Sequence, residues 1–211
     1  MIKNYFKTTW RNLKRNKLYF LINITGLSVG ITSCVLIFLY IQYELSYDKY
    51  NAKSDQIYRL TEVLHLPGEN NARAVTSPPM GPTLQANFPE VLKTVRISYS
   101  GRYLSYQDKK IPNSQIMYAD STFFDIFTFN ITRGDRQKAL VNPYSIILTE
   151  TMAKKYFGNA SPLGKTMRLS DTIPLTVTGV VKDVPANSHF SFDCILSRAT
   201  INALNQLPET E

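Results

Sequence analysis

A chain of 211 residues, 44% hydrophobic and 19% charged, has the make-up of one or two ordinary globular domains, yet its charge is unevenly spread. Six of its 24 Lys and Arg residues (Lys3, Lys7, Arg11, Lys14, Arg15 and Lys17) precede Leu18, where there is no acid; the other 18 face 16 Asp and Glu, so the remainder is nearly neutral. A nucleic-acid-binding domain should carry its cations on a folded face, so nucleic acid is not the expected partner, and two cysteines cannot staple a disulfide scaffold.

Within the basic arm, Ile2, Tyr5, Phe6, Trp10 and Leu13 recur at three- and four-residue steps, and Lys3, Lys7, Arg11 and Lys14 do so on another face. The spacing predicts a cytoplasmic, interfacial amphipathic helix over residues 1–17. Its aromatics lie at headgroup depth, and its membrane-interface residues Lys3, Lys7, Trp10, Arg11, Lys14, Arg15 and Lys17 meet the lipid bilayer. The alternative is a disordered basic tail that only enforces topology.

Residues 18–43 contain no ionisable Asp, Glu, Lys, Arg or His. About 26 residues at about 1.5 Å each give roughly 39 Å of helix, enough to cross about 30 Å of hydrocarbon with some tilt. A buried core helix of this length would show a polar face, and a cleaved signal peptide would be shorter and end in small residues, whereas Glu44, Leu45, Ser46 and Tyr47 follow here. The six preceding cations place the N-terminus in the cytoplasm and residues 44–211 outside it. Gly26 and Gly30 form G-x-x-x-G, and Cys34 extends the small-residue stripe by a turn, so these three are the expected helix-packing positions for a partner helix. Cys34 at bilayer depth and Cys194 far along the outer domain exclude a disulfide between them.

The outer part reads as a mixed α+β domain. Strands are expected at 57–66, at 94–106 as one long strand or a hairpin around Gly101, and at 111–118, 145–148, 166–169, 175–181 and 190–196. Helices are expected at 80–87, 121–127, 150–157 with Gly158 as C-cap, and 198–207.

Three short motifs suggest chemistry and lose it in context. Gly26-Leu27-Ser28-Val29-Gly30 spells a nucleophile elbow, but within an apolar span and without a reachable His. Residues 158–166, GNASPLGKT, imitate a phosphate loop, but with five residues between the glycines and in the order helix, turn, strand, the reverse of what phosphate binding needs. Residues 161–164 then read as a turn into a hairpin, and Arg133-Gly134-Asp135 as a turn before it is an adhesion motif. His65 and His189 are the only histidines and have no ligand-spaced partners, so each reads as a hydrogen-bonded structural residue. No catalytic, cofactor or metal residue is expected, and the chain reads as a non-enzyme.

WRNLKRNKLYFLINITGLSVGI (10–31), ELSYDKYN with DQIYRL (44–60), FPEV (88–91), the AD-x-x-FFDIF run (119–127), the LTE-x-x-AKKYFG run (148–158), PLGK (162–165) and VTGVVKDVPANSHF (177–190) together resemble ABC transporter permeases of the MacB/FtsX type, in the form found in Bacteroidetes-like bacteria. The resemblance implies a bacterial inner-membrane protein whose residues 44–211 are an incomplete MacB-like periplasmic core domain; because further membrane helices follow that domain in the family, it also implies that the chain is an N-terminal fragment of a longer permease or a truncated gene product. It implies a permease subunit coupling ATP hydrolysis to movements of the periplasmic domain. ATP and Mg sit on a partner ABC ATPase, a second permease copy or homologue stands beside the chain, and a periplasmic adaptor protein is a further possible partner. The rival reading is a single-pass membrane-anchored sensor or binding module.

Overall fold

The computed structural model describes residues 2–66, 69–112 and 114–205; the side chains at 2, 3, 6, 13, 64–66, 69–72 and 205 lie outside that description. The chain divides into two compact units, Met1–Tyr47 and Asp48–Glu211.

The first unit is two helices. Helix α1 (Ile2–Arg15) ends at Asn16, whose φ of −112° and ψ of 54° leave the helical region, and α2 (Lys17–Leu45) then runs 29 residues without a buried side chain. At about 1.5 Å per residue α2 is roughly 43 Å long. It is long and apolar enough to cross a membrane.

The second unit opens with a 3₁₀ turn at Ser54–Gln56. The expected strand at 57–66 is reduced to β1 (Glu62–Leu66), which forms a two-stranded antiparallel sheet with β2 (Glu69–Arg73). The polar β2 segment, ENNAR, has no apolar alternation to announce it; pairing across the turn makes it a strand. Helix α3 (Met80–Asn87) follows where expected.

The remaining elements are β3 (Ile97–Ser100), β4 (Leu104–Tyr106), β5 (Lys109–Ile111), β6 (Ile116–Ala119), α4 (Phe123–Ile126), β7 (Ile131–Gly134), β8 (Ser145–Thr149), α5 (Glu150–Phe157), β9 (Thr166–Leu169), β10 (Ile173–Val181), β11 (Cys194–Ser197) and α6 (Ala199–Asn205). Nine strands form one mixed sheet in the order β3-β6-β11-β8-β10-β9-β4-β5, with β7 on β10. The expected single strand or hairpin at 94–106 is corrected here: β3 and β4 sit at opposite ends of the order. Six inter-strand steps of about 4.8 Å would separate them by roughly 29 Å in a flat sheet, whereas the link 101–103 reaches at most about 14 Å. The sheet must therefore curl until its ends face each other.

Side-chain alternation then sorts the core into two layers. Every residue of β6, β8 and β11 is buried. Ile116, Tyr118, Ile146, Leu148, Cys194 and Leu196 point into one cluster with Leu104 and Leu169 from the far end of the sheet and with Met152, Ala153 and Tyr156 of α5. Tyr156 donates its hydroxyl to the Leu104 carbonyl at 2.9 Å, fastening α5 inside the curl. Met117, Ala119, Ile147 and Ile195 point to the other face, under an aromatic cluster. There Phe123 meets the rings of Phe124, Phe127, Phe129, Phe190 and Phe192 at centroid distances of 5.1 to 6.2 Å.

Two local corrections have clear causes. Residues 131–134 are strand β7, not a turn; the turn begins at Asp135, whose carbonyl accepts from Lys138 N and whose carboxylate accepts from Gln137 N. Gly134 has φ +101°, and a Cβ there would lie 2.4 Å from the Thr178 carbonyl oxygen, so the strand pairing depends on glycine. The apolar run at 190–196 forms a strand only from Cys194, because Phe190 and Phe192 turn into the aromatic cluster. The expected strand at 111–118 is split between the end of β5 and β6, and the expected helix at 121–127 shortens to α4. The end signals of α5 and the turn before β9 hold: Thr149 caps α5 by accepting from Met152 N at 3.3 Å, Gly158 ends it at φ +61°, and Pro162 O accepts from Lys165 N in the turn before the β9–β10 hairpin. Of the expected helix at 198–207, residues 206 and 207 lie outside the described residues.

The hairpin β4–β5 is tied to the β9–β10 turn through Asp171, which pairs with Lys110 and accepts from the Tyr103 hydroxyl at 2.8 Å. Lys110 first, then the Ser105 and Tyr103 hydroxyls, hold the Asp171 carboxyl at about 2, below its ordinary 3.8. A carboxyl with a lowered folded pKa adds stability above its unfolded pKa and loses it as pH falls through the folded one. The melting-temperature difference between the native chain and Asp171→Asn is therefore expected to be full at pH 5 and to vanish as pH approaches 2. Phe123→Ala removes the centre of the aromatic cluster and is expected to cost about 3–5 kcal/mol. That is a drop of about 6 °C or more in a circular-dichroism melt of the full chain in nanodiscs.

Candidate functional site: a membrane anchor and a clamp behind it

On α1 the structure leaves Tyr5 and Trp10 largely exposed, together with Lys7, Arg11, Lys14 and Arg15; Lys17 begins α2. The Lys14 ammonium stands 5.9 Å from the centre of the Trp10 ring, within cation–π range. The Lys3, Ile2, Phe6 and Leu13 side chains of the expected amphipathic pattern lie outside the described residues.

On α2, Gly26, Gly30 and Cys34 fall on one face and line a shallow groove with Asn23, Leu27 and Ile31. A Cβ added at either glycine would meet nothing within 4 Å, so the glycines are not required by packing inside this chain. The helix satisfies its own hydroxyls: Thr25 donates to Leu21 O at 2.9 Å and Ser33 to Val29 O at 2.9 Å. The Gly26 to Gly30 elbow motif is helical throughout, and residues 158–166 run helix, turn, strand. Among the described residues no group of three His, Cys, Asp or Glu could hold a metal ion.

A second polar site is one that spacing did not reveal. Asp48, the first residue of the second unit, adopts φ +55°, a left-handed conformation that Asp tolerates. Its backbone N–H donates to Asn187 O at 3.0 Å. Its carboxylate accepts the His189 N–H at 3.0 Å through Oδ1, and the His189 Nδ1 lies 2.6 Å from Oδ2. Two residues on, Tyr50 and Ser188 join their hydroxyls at 2.8 Å, and the Tyr50 ring meets Phe129 edge-on at 5.5 Å. Burial, first among its causes, raises the Tyr50 phenol above its ordinary pKa.

Asn51, only 4% exposed, donates through its side-chain amide to Asp48 O at 3.2 Å and accepts Thr128 N–H at 2.9 Å. Ala52 N–H returns a bond to the Thr128 hydroxyl at 2.9 Å. The loop that receives this segment is itself anchored: Asp183 accepts Thr151 N–H at 3.0 Å and the Thr151 hydroxyl at 2.7 Å, a carboxylate against the first turn of α5. Residues 48–52 are thus clamped onto residues 187–189 and Thr128. His189 is the hydrogen-bonded residue expected of it, but its partner stands 141 positions away. The only sequence hint was that both segments, DKYN and ANSHF, belonged to the motifs carrying the family resemblance. His65 lies outside the described side chains.

The clamp's bonds are partly exposed, so its net worth is modest, about 1 kcal/mol, equivalent to a roughly fivefold change in local opening. Asp48→Ala is expected to speed tryptic cleavage at Lys49 and Lys53 of the full chain by about that factor, and His189→Ala by less, because the backbone bond at 189 survives. Equal cleavage of all three proteins would remove the clamp.

The profile of the MacB-like periplasmic core domain matches residues 20–209. Among solved structures, the chain is similar to a domain described as a permease protein from Porphyromonas gingivalis, with 25% identity over 66% of this chain and 57% of that one and a TM-score of 0.56. It is also similar to the periplasmic region of MacB from Actinobacillus actinomycetemcomitans, at 20% identity, 55% and 53% coverage and a TM-score of 0.42. The extracellular domain of the noncanonic ABC-type transporter YknZ from Gram-positive bacteria aligns at 19% identity, 54% and 58% coverage and a TM-score of 0.44. The chain spans between 53% and 58% of the length of these structures. No curated protein matches it.

Proposed function

From the membership of this chain in the MacB-like periplasmic core domain family, to which it belongs, we propose that its permease-type role is to carry movement between a membrane helix and a folded domain outside the cytoplasm. In this reading the chain is the N-terminal part of an ABC transporter permease subunit. The α1 arm lies on the cytoplasmic leaflet of the inner membrane, α2 crosses it, and the Asp48–Glu211 unit works in the periplasm. A partner ABC ATPase binds and hydrolyses ATP with Mg, and a second permease copy or homologue packs on the Gly26, Gly30 and Cys34 face of α2. A periplasmic adaptor protein is the remaining expected partner.

The observation that carries the proposal is the clamp. Only Ser46 and Tyr47 separate the end of α2 at Leu45 from Asp48, which is bonded at once to the loop at 187–189. Displacement of α2 along or across the bilayer reaches Asp48 through the covalent chain with little slack. From there it passes to the loop, and through Asp183 to α5 and the inner face of the sheet it packs on. The interfacial α1, with cations facing lipid and Trp10 at the headgroups, supplies a lever that follows the leaflet.

The test is purification of the full-length gene product from membranes through a C-terminal tag, scored by mass spectrometry. A co-purifying ABC ATPase in near-equal amount is the expected result. Its absence from correctly inserted, folded protein would overturn the permease reading and leave the single-pass sensor or binding module. Gly26→Leu with Gly30→Leu is expected to lose the ATPase and partner helices while the melting of the β-rich unit is unchanged, because neither glycine packs within the chain.

A further inference from the structure

The curl that brings β3 and β5 face to face does not close. Each is a terminal strand of the nine-stranded sheet, with one edge unpaired by any strand among the described residues. Between them lies a cavity of about 660 Å³, lined by Tyr99, Ser100, Arg102, Tyr103, Lys110 and Gln115 among others, within the range of ligand sites (~300–1,000 Å³).

The two edges differ. Exposed strand edges invite pairing, and proteins guard them with charge, proline or bulges. The β5 segment, Lys109-Lys110-Ile111, is guarded by two cations. The β3 segment, Ile97-Ser98-Tyr99-Ser100, carries no charge and no proline, and it pairs β6 in unbroken register without a bulge. It is an open template of four residues, about 13 Å at 3.3 Å each.

The lining is also one-sided in charge. Arg102 and Lys110 contribute two cations, and among the described residues no carboxylate lines the cavity. Lys110 is held by Asp171 from outside the lining, while the Arg102 side chain makes no ion pair among the described residues. Tyr99, 57% exposed, offers an aromatic face with a hydroxyl tip, while Tyr103 gives its hydroxyl to Asp171 at 2.8 Å and carries the Lys110 ammonium 5.6 Å from the centre of its ring.

We propose that this seam binds an acidic peptide in extended conformation, which adds as a strand to the free edge of β3 and places its carboxylates on Arg102 and Lys110. Main-chain bonds to β3 supply affinity that tolerates many sequences, and alternate side chains facing the two cations supply the acidic preference. The partner is a protein presenting a short acidic tail or loop. The proposal uses only the strand edges and the lining, so it stands whether or not an ATPase accompanies the chain.

The test uses the full chain in neutral-lipid nanodiscs and a fluorescein-labelled octapeptide of alternating Glu and Val, read by fluorescence anisotropy. Binding is expected to weaken with salt and to fall by about tenfold or more in Arg102→Glu, an exposed side chain whose replacement leaves the melting temperature unchanged. The same peptide N-methylated on alternate amides is expected to lose binding, and hydrogen exchange at residues 97–100 is expected to slow when the unmodified peptide is bound. No binding, equal binding of an alternating Lys and Val peptide, or undiminished binding of the N-methylated peptide would overturn the proposal. Displacement of the peptide by millimolar inorganic phosphate at constant ionic strength would also overturn it and assign the cavity to a small anion.

Discussion

The second unit depends on a mismatch of lengths. Residues 101–103 are too few to cross the face of a flat sheet, yet β3 and β4 on either side of them belong to its two ends. The sheet resolves this by curling. Curling brings Leu104 and Leu169 from one end into the same cluster as Ile116 and Tyr118 from the other. It also makes room inside for α5, which Tyr156 fastens to the Leu104 carbonyl. A flat sheet would leave the inner face of β6, β11 and β8 to water, at a cost of about 25 cal/mol for each Å² of apolar area.

Curling leaves the two end strands facing each other, with no strand between them among the described residues, and that residual gap is the seam beside Arg102. The opposite face of the sheet is closed by aromatic rings from α4, from the chain just after it and from the chain before β11. The same segment, 187–192, therefore serves two layers: Phe190 and Phe192 fill the aromatic cluster while Asn187 to His189 hold Asp48. A force on Asp48 acts on a loop whose neighbours are core residues, and packed cores shift between discrete arrangements more readily than they deform.

The readable parts of the chain were those governed by local rules. The apolar run within the 29-residue α2, the Thr149 cap and Gly158 stop of α5, and the alternation of β9 each carry their own signal in the local sequence. The boundaries of α3, α5 and β9 accordingly fell where their end signals lie. Segments whose structure depends on a distant partner were missed or merged. The polar β2 and the short β7 are strands only because β1 and β10 pair with them. Residues 94–106 alternate correctly for strand, but alternation names no partner, so two strands six steps apart in the sheet read as one hairpin. The clamp failed to show for the same reason: Asp48 and His189 are ordinary residues 141 positions apart.

The amino-acid sequence by itself determined that one helix is suited to lipid, that its N-terminal flank is basic, that no sequence motif retained its chemistry once its context was considered, and that the rest is α+β, because hydropathy, charge and capping act over one or two turns of chain. Tertiary structure alone decided which strands are neighbours, where the sheet ends face each other, and what Asp48 holds, because hydrogen-bond partners across a sheet or between loops are chosen by the packing of the whole core.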